Sequence, residues 1–554
     1  MQHAFNKCLK YRFELLYAFL SIFIAFSPYI RQDLIVGSDY PFHLARIETL
    51  AQNLSYGLFP NKIHVDLCYG YGYGVGFFYP DFFLYIPAIF MLLGFSLEVA
   101  FKLFAGILLS AIFLSMFYCV YRLTYDRYAA LAASAVFLFS NQVLGSFYYS
   151  FTLGTSTALI FIPLAICGMY LFLVRDEKPW MLGLGFTGLL YSHVLGTFLT
   201  VIICFILLLI YFKKLFCTPR KIGLLFVTVL SVSALTASFW LPMLEQLSAQ
   251  TFRLSEPWTW VDDNVLLLSR LIHTEGFGWT LTLLVLLSGF HVICPSMTDS
   301  PAHLSKQQTA SVKGLRIFYC FGLIMYLLPV CGKFWQIFRP MFRFLQFPNR
   351  LLVPAAVLMV FAFGILFSSI LTPKHHKRTA AMLLLAASLY TGMNYIGDSF
   401  EMTEDFGGRI LYQEIAGLGA GEEYLPIETT RDDLTTPNIA FSELGGAISG
   451  TRINEAFLFP ASPESDYYDV PFVWYKGYRA CTDSGMQLET VKNPENGLVR
   501  VLTDSLEQPT TISVCYSGTA LTKLSCIISI ISFLFLFTSG ILRFLKYTGK
   551  HHRH

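Results

Sequence analysis

Charge is what this chain has least of. Only 14% of its 554 residues are Asp, Glu, Lys or Arg, against 55% hydrophobic residues, where soluble domains carry roughly 25% charge. That shortage excludes an ordinary soluble enzyme and leaves a polytopic membrane protein. Apolar runs near or above the roughly 17 to 25 residues needed to cross hydrocarbon recur along most of the sequence. The first run lacks a small-residue cleavage site, so it is expected to stay as a span rather than be removed as a signal peptide. Also missing are internal repeats and any P-loop, dinucleotide, zinc or nucleic-acid signature, so no nucleic acid is expected among the partners.

Lys and Arg near span ends set the expected orientation. The clusters are Lys7, Lys10 and Arg12; Arg122 and Arg127; Arg175 and Lys178; Lys213, Lys214, Arg220 and Lys221; Lys313 and Arg316; Lys374, Lys377 and Arg378; and Arg543, Lys546 and Lys550. Placing all of them in the cytoplasm predicts spans near 13–30, 98–121, 128–147, 155–174, 180–196, 197–213, 222–244, 278–294, 315–331, 350–371, 378–396 and 519–543. This gives about 12 crossings with both termini cytoplasmic, in what is expected to be a bacterial plasma membrane. Residues 82–94 become a juxtamembrane or re-entrant segment, and 180–213 is barely long enough for two crossings.

Hydropathy falls between Asp398 and Ser517, and alternating stretches such as GLVRVL and TISVCY read as short strands. The expected organisation is therefore a transmembrane catalytic module over 1–397, an exterior β-rich or α+β domain over 398–517, and a final span with a basic cytoplasmic tail over 518–554. The exterior segment is acidic, with 20 Asp and Glu against 7 Lys and Arg. Most of the 12 Cys lie in or beside spans and read as packing residues. Cys481 and Cys515 lie in the exterior segment and could pair in an oxidising compartment.

Ionisable residues concentrate at the exterior mouths of spans, where they invite a functional reading. GSDYPFHLARIETL, residues 37–50, places Asp39, His43 and Arg46 just after the first span. The same loop holds His64, Asp66 and Asp81 and the run YGYGYGVGFFYP, which ends with Tyr79 and Pro80. His193 falls in the turn YSHVLGT, and KFWQIFRPMFRFLQFPNRLL, residues 333–352, carries Lys333, Arg339, Arg343 and Arg350 on the side where positive charge is not expected. Arg binds phosphate oxygens bidentately, so a phosphate or pyrophosphate held at the bilayer would account for them. Each feature also has an ordinary reading. Interfacial Arg residues snorkel, His193 could be a hydrogen-bonded packing residue, and the Tyr-Gly run could be loop architecture.

The phrase GSDYPFHLARI, the stretch YGYGVGFFYPDFFLYIPAIF, the pair Ser192–His193, LQFPNRLL, EYLPIE at 423–428 and PFVWYKGYRA at 471–480 together resemble the YfhO-like membrane proteins. These include chains labelled as related to 6-pyruvoyl-tetrahydropterin synthase, and they belong to the GT-C glycosyltransferase superfamily. No zinc-binding His cluster supports pterin chemistry. One departure is Asn349 in FPNRLL, where an aromatic residue is expected. The resemblance implies an α-helical, GT-C-like membrane fold. It also implies an inverting transferase that moves a sugar from a polyprenyl-phosphate carrier to a cell-envelope or glycolipid acceptor on the exterior face. In that reading Asp39 is the base and His43 assists it. Arg46, Tyr79, His193, Arg339, Arg343, Arg350 and Tyr475 line the substrate sites, with Arg343 and Arg350 on the phosphate.

Two other classes stay open: a transporter or flippase of a lipid-linked saccharide, and a non-catalytic assembly protein. No cofactor is expected. The first loop offers Asp39 without a second acid close by, since Asp33 and Glu48 are six and nine residues away. Divalent ions want several convergent oxygens, so the reaction is expected to run without a metal.

Overall fold

The apolar runs form helices that stop where the sequence supplies a turn or a charge. In this computed structural model the described residues are 11–30, 39–256, 258–294, 306–371, 373–404, 418–419 and 421–551. Lys7, Lys10 and Asp33 lie outside them. Seven helices are long and apolar enough to cross a membrane: Arg12–Ile30, Leu97–Thr124, Leu153–Arg175, Lys313–Val330, Pro348–Ile370, Lys374–Phe400 and Ala520–Gly540. Two bent pairs, Arg127–Leu138 with Asn141–Tyr148 and Pro219–Leu235 with Ala237–Ala249, raise the number to nine if each is one span. The chain is an integral membrane protein.

The expected count of about 12 is not reached on helix length among the described residues. Three expected spans are the shorter helices Trp180–Leu190, Val194–Ile210 and Trp279–Ile293, with 11, 17 and 15 residues. At 1.5 Å per residue they rise about 16, 25 and 22 Å, short of the roughly 30 Å hydrocarbon layer. Residues 82–94 contain another short apolar helix, Phe82–Leu92.

The chain forms two compact units. The first comprises Met1–Pro41, Phe95–Thr228 and Trp258–Ile410. Its central helix is Pro348–Ile370, 89% buried, and it packs against the helices that begin at Lys306 and Arg127. Small residues allow close helix contacts. A Cβ on Gly168 or Gly185 would sit 2.5 Å from a backbone nitrogen of the neighbouring helix, so Leu153–Arg175 and Trp180–Leu190 touch backbone to backbone. Four cations gather at the C-terminal ends of Leu97–Thr124 and Leu153–Arg175. Arg175 donates to the carbonyls of Arg122 and Leu123, Lys214 to Val174 and Lys221 to Leu173. Arg122 in turn pairs with Glu177. Cations satisfy the unpaired carbonyls that end a helix, so these residues form a basic rim at one end of the bundle.

The second unit comprises Phe42–Gly94, Val229–Pro257 and Leu411–His554. Its strands are β1 (Ile439–Ser442), β2 (Ala447–Ser449), β3 (Thr451–Ile453), β4 (Ala456–Ala461), β5 (Tyr467–Val473), β6 (Tyr478–Thr482), β7 (Gln487–Leu488), β8 (Thr490–Lys492), β9 (Leu498–Leu502) and β10 (Thr510–Tyr516). They form two five-stranded sheets of order β2-β1-β5-β9-β8 and β3-β4-β10-β6-β7. Alternate residues turn inward, as the pleat requires. Tyr468, Val470, Val499 and Val501 from one sheet meet Phe457, Phe459, Ile512 and Val514 from the other in one core. The Tyr-Gly run belongs to that core, since Tyr71, Tyr73, Val75, Phe77 and Phe78 are buried in it. A Cβ on Gly74 would come within 2.4 Å of the Tyr475 ring, so the loop can lie there only with glycine at that position.

Cys481 and Cys515 are free thiols. The β6–β10 register sets Cys481 opposite Ser513 and Cys515 opposite Arg479. Such diagonal positions lie roughly 7–8 Å apart, beyond the usual reach of a disulfide.

Candidate functional site

In the second unit, the helix Tyr40–Ser55 carries Arg46 into a buried ionic cluster. Arg46 is 1% exposed and donates to Asp81 Oδ1 from Nε at 3.1 Å and from Nη2 at 2.5 Å. Nη2 also reaches the carbonyls of Tyr79 at 3.2 Å and Pro80 at 3.3 Å. The guanidinium lies over the Tyr79 ring, 4.4 Å from its centroid, and Nη1 is 3.3 Å from His43 Nδ1. The other carboxylate oxygen, Asp81 Oδ2, is 2.9 Å from His64 Nε2. A Cβ on Gly76 would sit 2.7 Å from that oxygen, so the glycine leaves room for the carboxylate. Burial works to raise the Asp81 pKa, but the charges of Arg46 and His64 and their hydrogen bonds outweigh it and hold Asp81 well below the usual carboxylate range. Lys62 is buried nearby and donates to the Gly76 carbonyl at 3.3 Å. Burial pulls its pKa down, partly countered by the Asp81 charge.

Asp39 immediately precedes this helix and belongs to the first unit. It is partly exposed, and its backbone N–H donates to the Ser150 carbonyl at 3.2 Å. Tyr40 fixes the same turn, edge-on to Phe101 and Phe151 at 5.5 and 4.8 Å. Three residues after Ser150 the helix Leu153–Arg175 begins. Its first turns supply Thr155 and Ala158 to a cavity that is also lined by His193, Gly196, Leu199 and Arg350, with a volume near 40 Å³. His193 caps the helix Val194–Ile210, its Nδ1 accepting the Gly196 N–H at 3.1 Å. A neutral ring with Nδ1 as acceptor carries its proton on Nε2. Arg350 donates to Gln346 Oε1 at 2.9 Å and lies over Phe347 at 5.4 Å.

The arginines expected to act together have different settings. Arg339 pairs with Asp262 at 3.3 Å and lies over Trp260 at 4.1 Å. Arg343 is exposed. Only Arg350 lines the cavity with His193. Tyr475 is wholly buried in the β-sheet core and donates to the Tyr424 carbonyl at 2.9 Å.

No family model matches the chain. An uncharacterized protein of Lactococcus lactis subsp. cremoris (strain MG1363) is 30% identical over 257 residues, which is 44% of this chain and 42% of that relative. The arabinofuranosyltransferase AftD from Mycobacteria matches with TM-score 0.43 and 13% identity, over 70% of this chain and 27% of AftD. The archaeal oligosaccharyltransferase AglB from Archaeoglobus fulgidus, solved with an inhibitory peptide and a dolichol-phosphate, matches with TM-score 0.35 and 12% identity, over 72% of this chain and 56% of AglB. The chain thus spans less than half the length of the curated relative it matches and about a quarter of AftD. Likenesses this distant fix neither its substrate nor its reaction.

Two features of the site were not singled out from sequence. Glu275 accepts from the Asn349 side-chain amide at 2.9 Å, and the Gln142 amide holds the Glu275 and Gly276 carbonyls at 2.7 and 2.9 Å. The unexpected Asn349 therefore fixes a carboxylate one residue from Arg350. Lys62 is the other, and only its burial beside Asp81 marks it. Among the described residues no group of three or more His, Cys, Asp or Glu is arranged to hold a metal ion.

Proposed function

We propose that this chain is a membrane glycosyltransferase that moves a sugar from a polyprenyl-phosphate carrier to an acceptor hydroxyl of the cell envelope or of a glycolipid, with inversion. One observation carries the reading. Asp39 is bonded to Ser150, and Thr155 lines the cavity of His193 and Arg350. Five residues of chain span at most about 18 Å, so the backbone of Asp39 and the cationic pocket both lie near the start of one helix. The basic rim lies at the other end of that 23-residue helix, about 35 Å away. That separation agrees with a site on the membrane face opposite the rim.

The chemistry follows from the residues. Asp39 takes the acceptor proton as the acceptor oxygen attacks the anomeric carbon. The bond from that carbon to the phosphate oxygen breaks, and the phosphate leaves with the electron pair. Arg350, the Nε2–H of His193 and the positive end of helix Leu153–Arg175 receive the developing charge. A single water needs about 10–15 Å³ of such space, so a 40 Å³ cavity suits a phosphoryl group rather than a whole sugar. The Arg46–Asp81–His64 cluster acts by stiffening the loop whose helix begins beside Asp39, and Tyr475 acts as core. The resemblance of the first loop and of LQFPNRLL to the YfhO-like proteins agrees with this assignment.

The test is an in vitro assay of the purified chain with a panel of polyprenyl-phosphate sugars, comparing wild type with Arg350→Gln. Transfer by the wild type and a weakened dependence on carrier in the variant would support the reading. A well-folded wild type that transfers nothing but moves the carrier between leaflets would replace it with the transporter reading.

A further inference from the structure

The segment between the helix Lys313–Val330 and the helix Pro348–Ile370 is built like a membrane-surface element. Its inner side is anchored. Trp335 and Leu345 are buried with Val261, Leu199 and Leu351, and Trp335 Nε1 donates to the Leu328 carbonyl at 2.8 Å. Its outer side is apolar and open to the surroundings, with Ile337 72% and Met341 66% exposed and Phe338 and Phe344 also exposed. Arg343 stands exposed between Met341 and Phe344, and Lys333 is exposed at the start of the segment. Arg339 is committed to Asp262 and Trp260.

The depth of the segment is set by one contact. On the helix Val194–Ile210 the exposed residues Val194, Phe198, Val201, Phe205 and Leu209 form a single stripe. An apolar stripe along an apolar helix is a lipid-facing surface. Phe344 meets Phe198, one turn from the start of that helix, edge-on at 4.7 Å. The 17-residue helix rises about 25 Å, some 5 Å short of the hydrocarbon thickness, and the exposed side chains of the segment continue its apolar surface at that end. Apolar residues at the acyl boundary with cations beside them are the composition of an element that lies in the interface and attracts anionic lipid.

We propose that residues 333–344 form an interfacial binding site for the headgroup of an anionic phospholipid. Ile337, Met341 and Phe344 enter the acyl boundary, and Lys333 and Arg343 hold the phosphate. This site is separate from the cavity of His193 and Arg350. It is tested by titrating the purified full-length chain in detergent with short-chain phosphatidylglycerol or phosphatidylcholine and reading bound lipid by native mass spectrometry.

The wild type is expected to retain phosphatidylglycerol in preference to phosphatidylcholine. Lys333→Gln with Arg343→Gln should reduce that preference by about five-fold per cation removed, while Met341→Asp should lower retention of both lipids. Unchanged preference in a double variant of wild-type helicity would overturn the proposal. So would displacement of the lipid by inorganic phosphate, which would mean a free-anion site. A dimer dissolved by Met341→Asp would also overturn it, because a second copy would then be covering the face.

Discussion

The backbone N–H of Asp39 donates to the carbonyl of Ser150 at 3.2 Å. This bond ties the first-loop carboxylate to the strand of chain that opens the helix Leu153–Arg175, whose first turns line the cavity of His193 and Arg350. The backbone of Asp39 is thereby held to the turn three residues before that helix.

Arg46 and Asp81 should behave as one structural unit. Asp81→Asn leaves the buried guanidinium without its counter-charge, a change that typically costs about 3–5 kcal/mol, and should lower the thermal unfolding temperature in detergent. The pH dependence has a definite sign. Asp81 sits below its ordinary pKa in the fold, so its stabilisation is fully present above the unfolded value near 3.9. It is lost only as pH falls through the lower folded value. Acid unfolding of Asp81→Asn should lack this contribution, and identical acid profiles for wild type and variant would rule out the ion pair as a support of the loop.

Gly76→Ala tests the same cluster from the backbone side. The added Cβ would lie 2.7 Å from Asp81 Oδ2 and 2.9 Å from the Lys62 carbonyl. Overpacking of this kind costs roughly 1–3 kcal/mol, so a measurable drop in unfolding temperature is expected. An unchanged value would mean that the Asp81 carboxylate is not confined there.

Arg350→Gln should act on the carrier. A hydrogen bond to a charged group is worth about 1.5–3 kcal/mol, which corresponds to a rise of roughly 10- to 150-fold in the apparent constant for the polyprenyl-phosphate sugar. Arg339→Gln removes a cation already paired with Asp262 and should change that constant much less. Equal effects of the two substitutions would argue against the cavity as the phosphate site.

Chelation should leave transfer intact. The first loop offers Asp39 without a second acid close by in sequence, and in the proposed reaction Arg350 takes the place of a divalent ion as the source of positive charge. Loss of activity in EDTA, restored by Mg or Mn, would make Asp39 a ligand before it is a base.

Much of the fold can be read from the residues, since apolar runs show through composition and β9 and β10 fall where GLVRVL and TISVCY alternate. Span number was harder: the turn YSHVLGT marks the break within 180–213, but hydropathy does not show that the helices on either side, Trp180–Leu190 and Val194–Ile210, are only 11 and 17 residues long. In the candidate site, the sequence marks Asp39, His43 and Arg46, and the structure places His43 and Arg46 in the buried cluster with Asp81. The division of labour among the arginines was not. Arg339 finds its partner 77 residues away at Asp262, Arg343 stays exposed and Arg350 reaches the cavity, and spacing within twelve residues carries none of this. Tyr475, expected to line a substrate site, is instead buried in the sheet core, where Gly74 leaves room for its ring. The strand register that separates Cys481 from Cys515 is likewise a long-range property.

The most direct test of the account is turnover by Asp39→Asn in purified, folded protein with a polyprenyl-phosphate sugar and an acceptor. The substitution keeps the size of the side chain and removes its basicity. The account predicts turnover reduced by about 100-fold or more, with carrier binding and unfolding temperature unchanged. Near-normal transfer by a well-folded Asp39→Asn protein would contradict it.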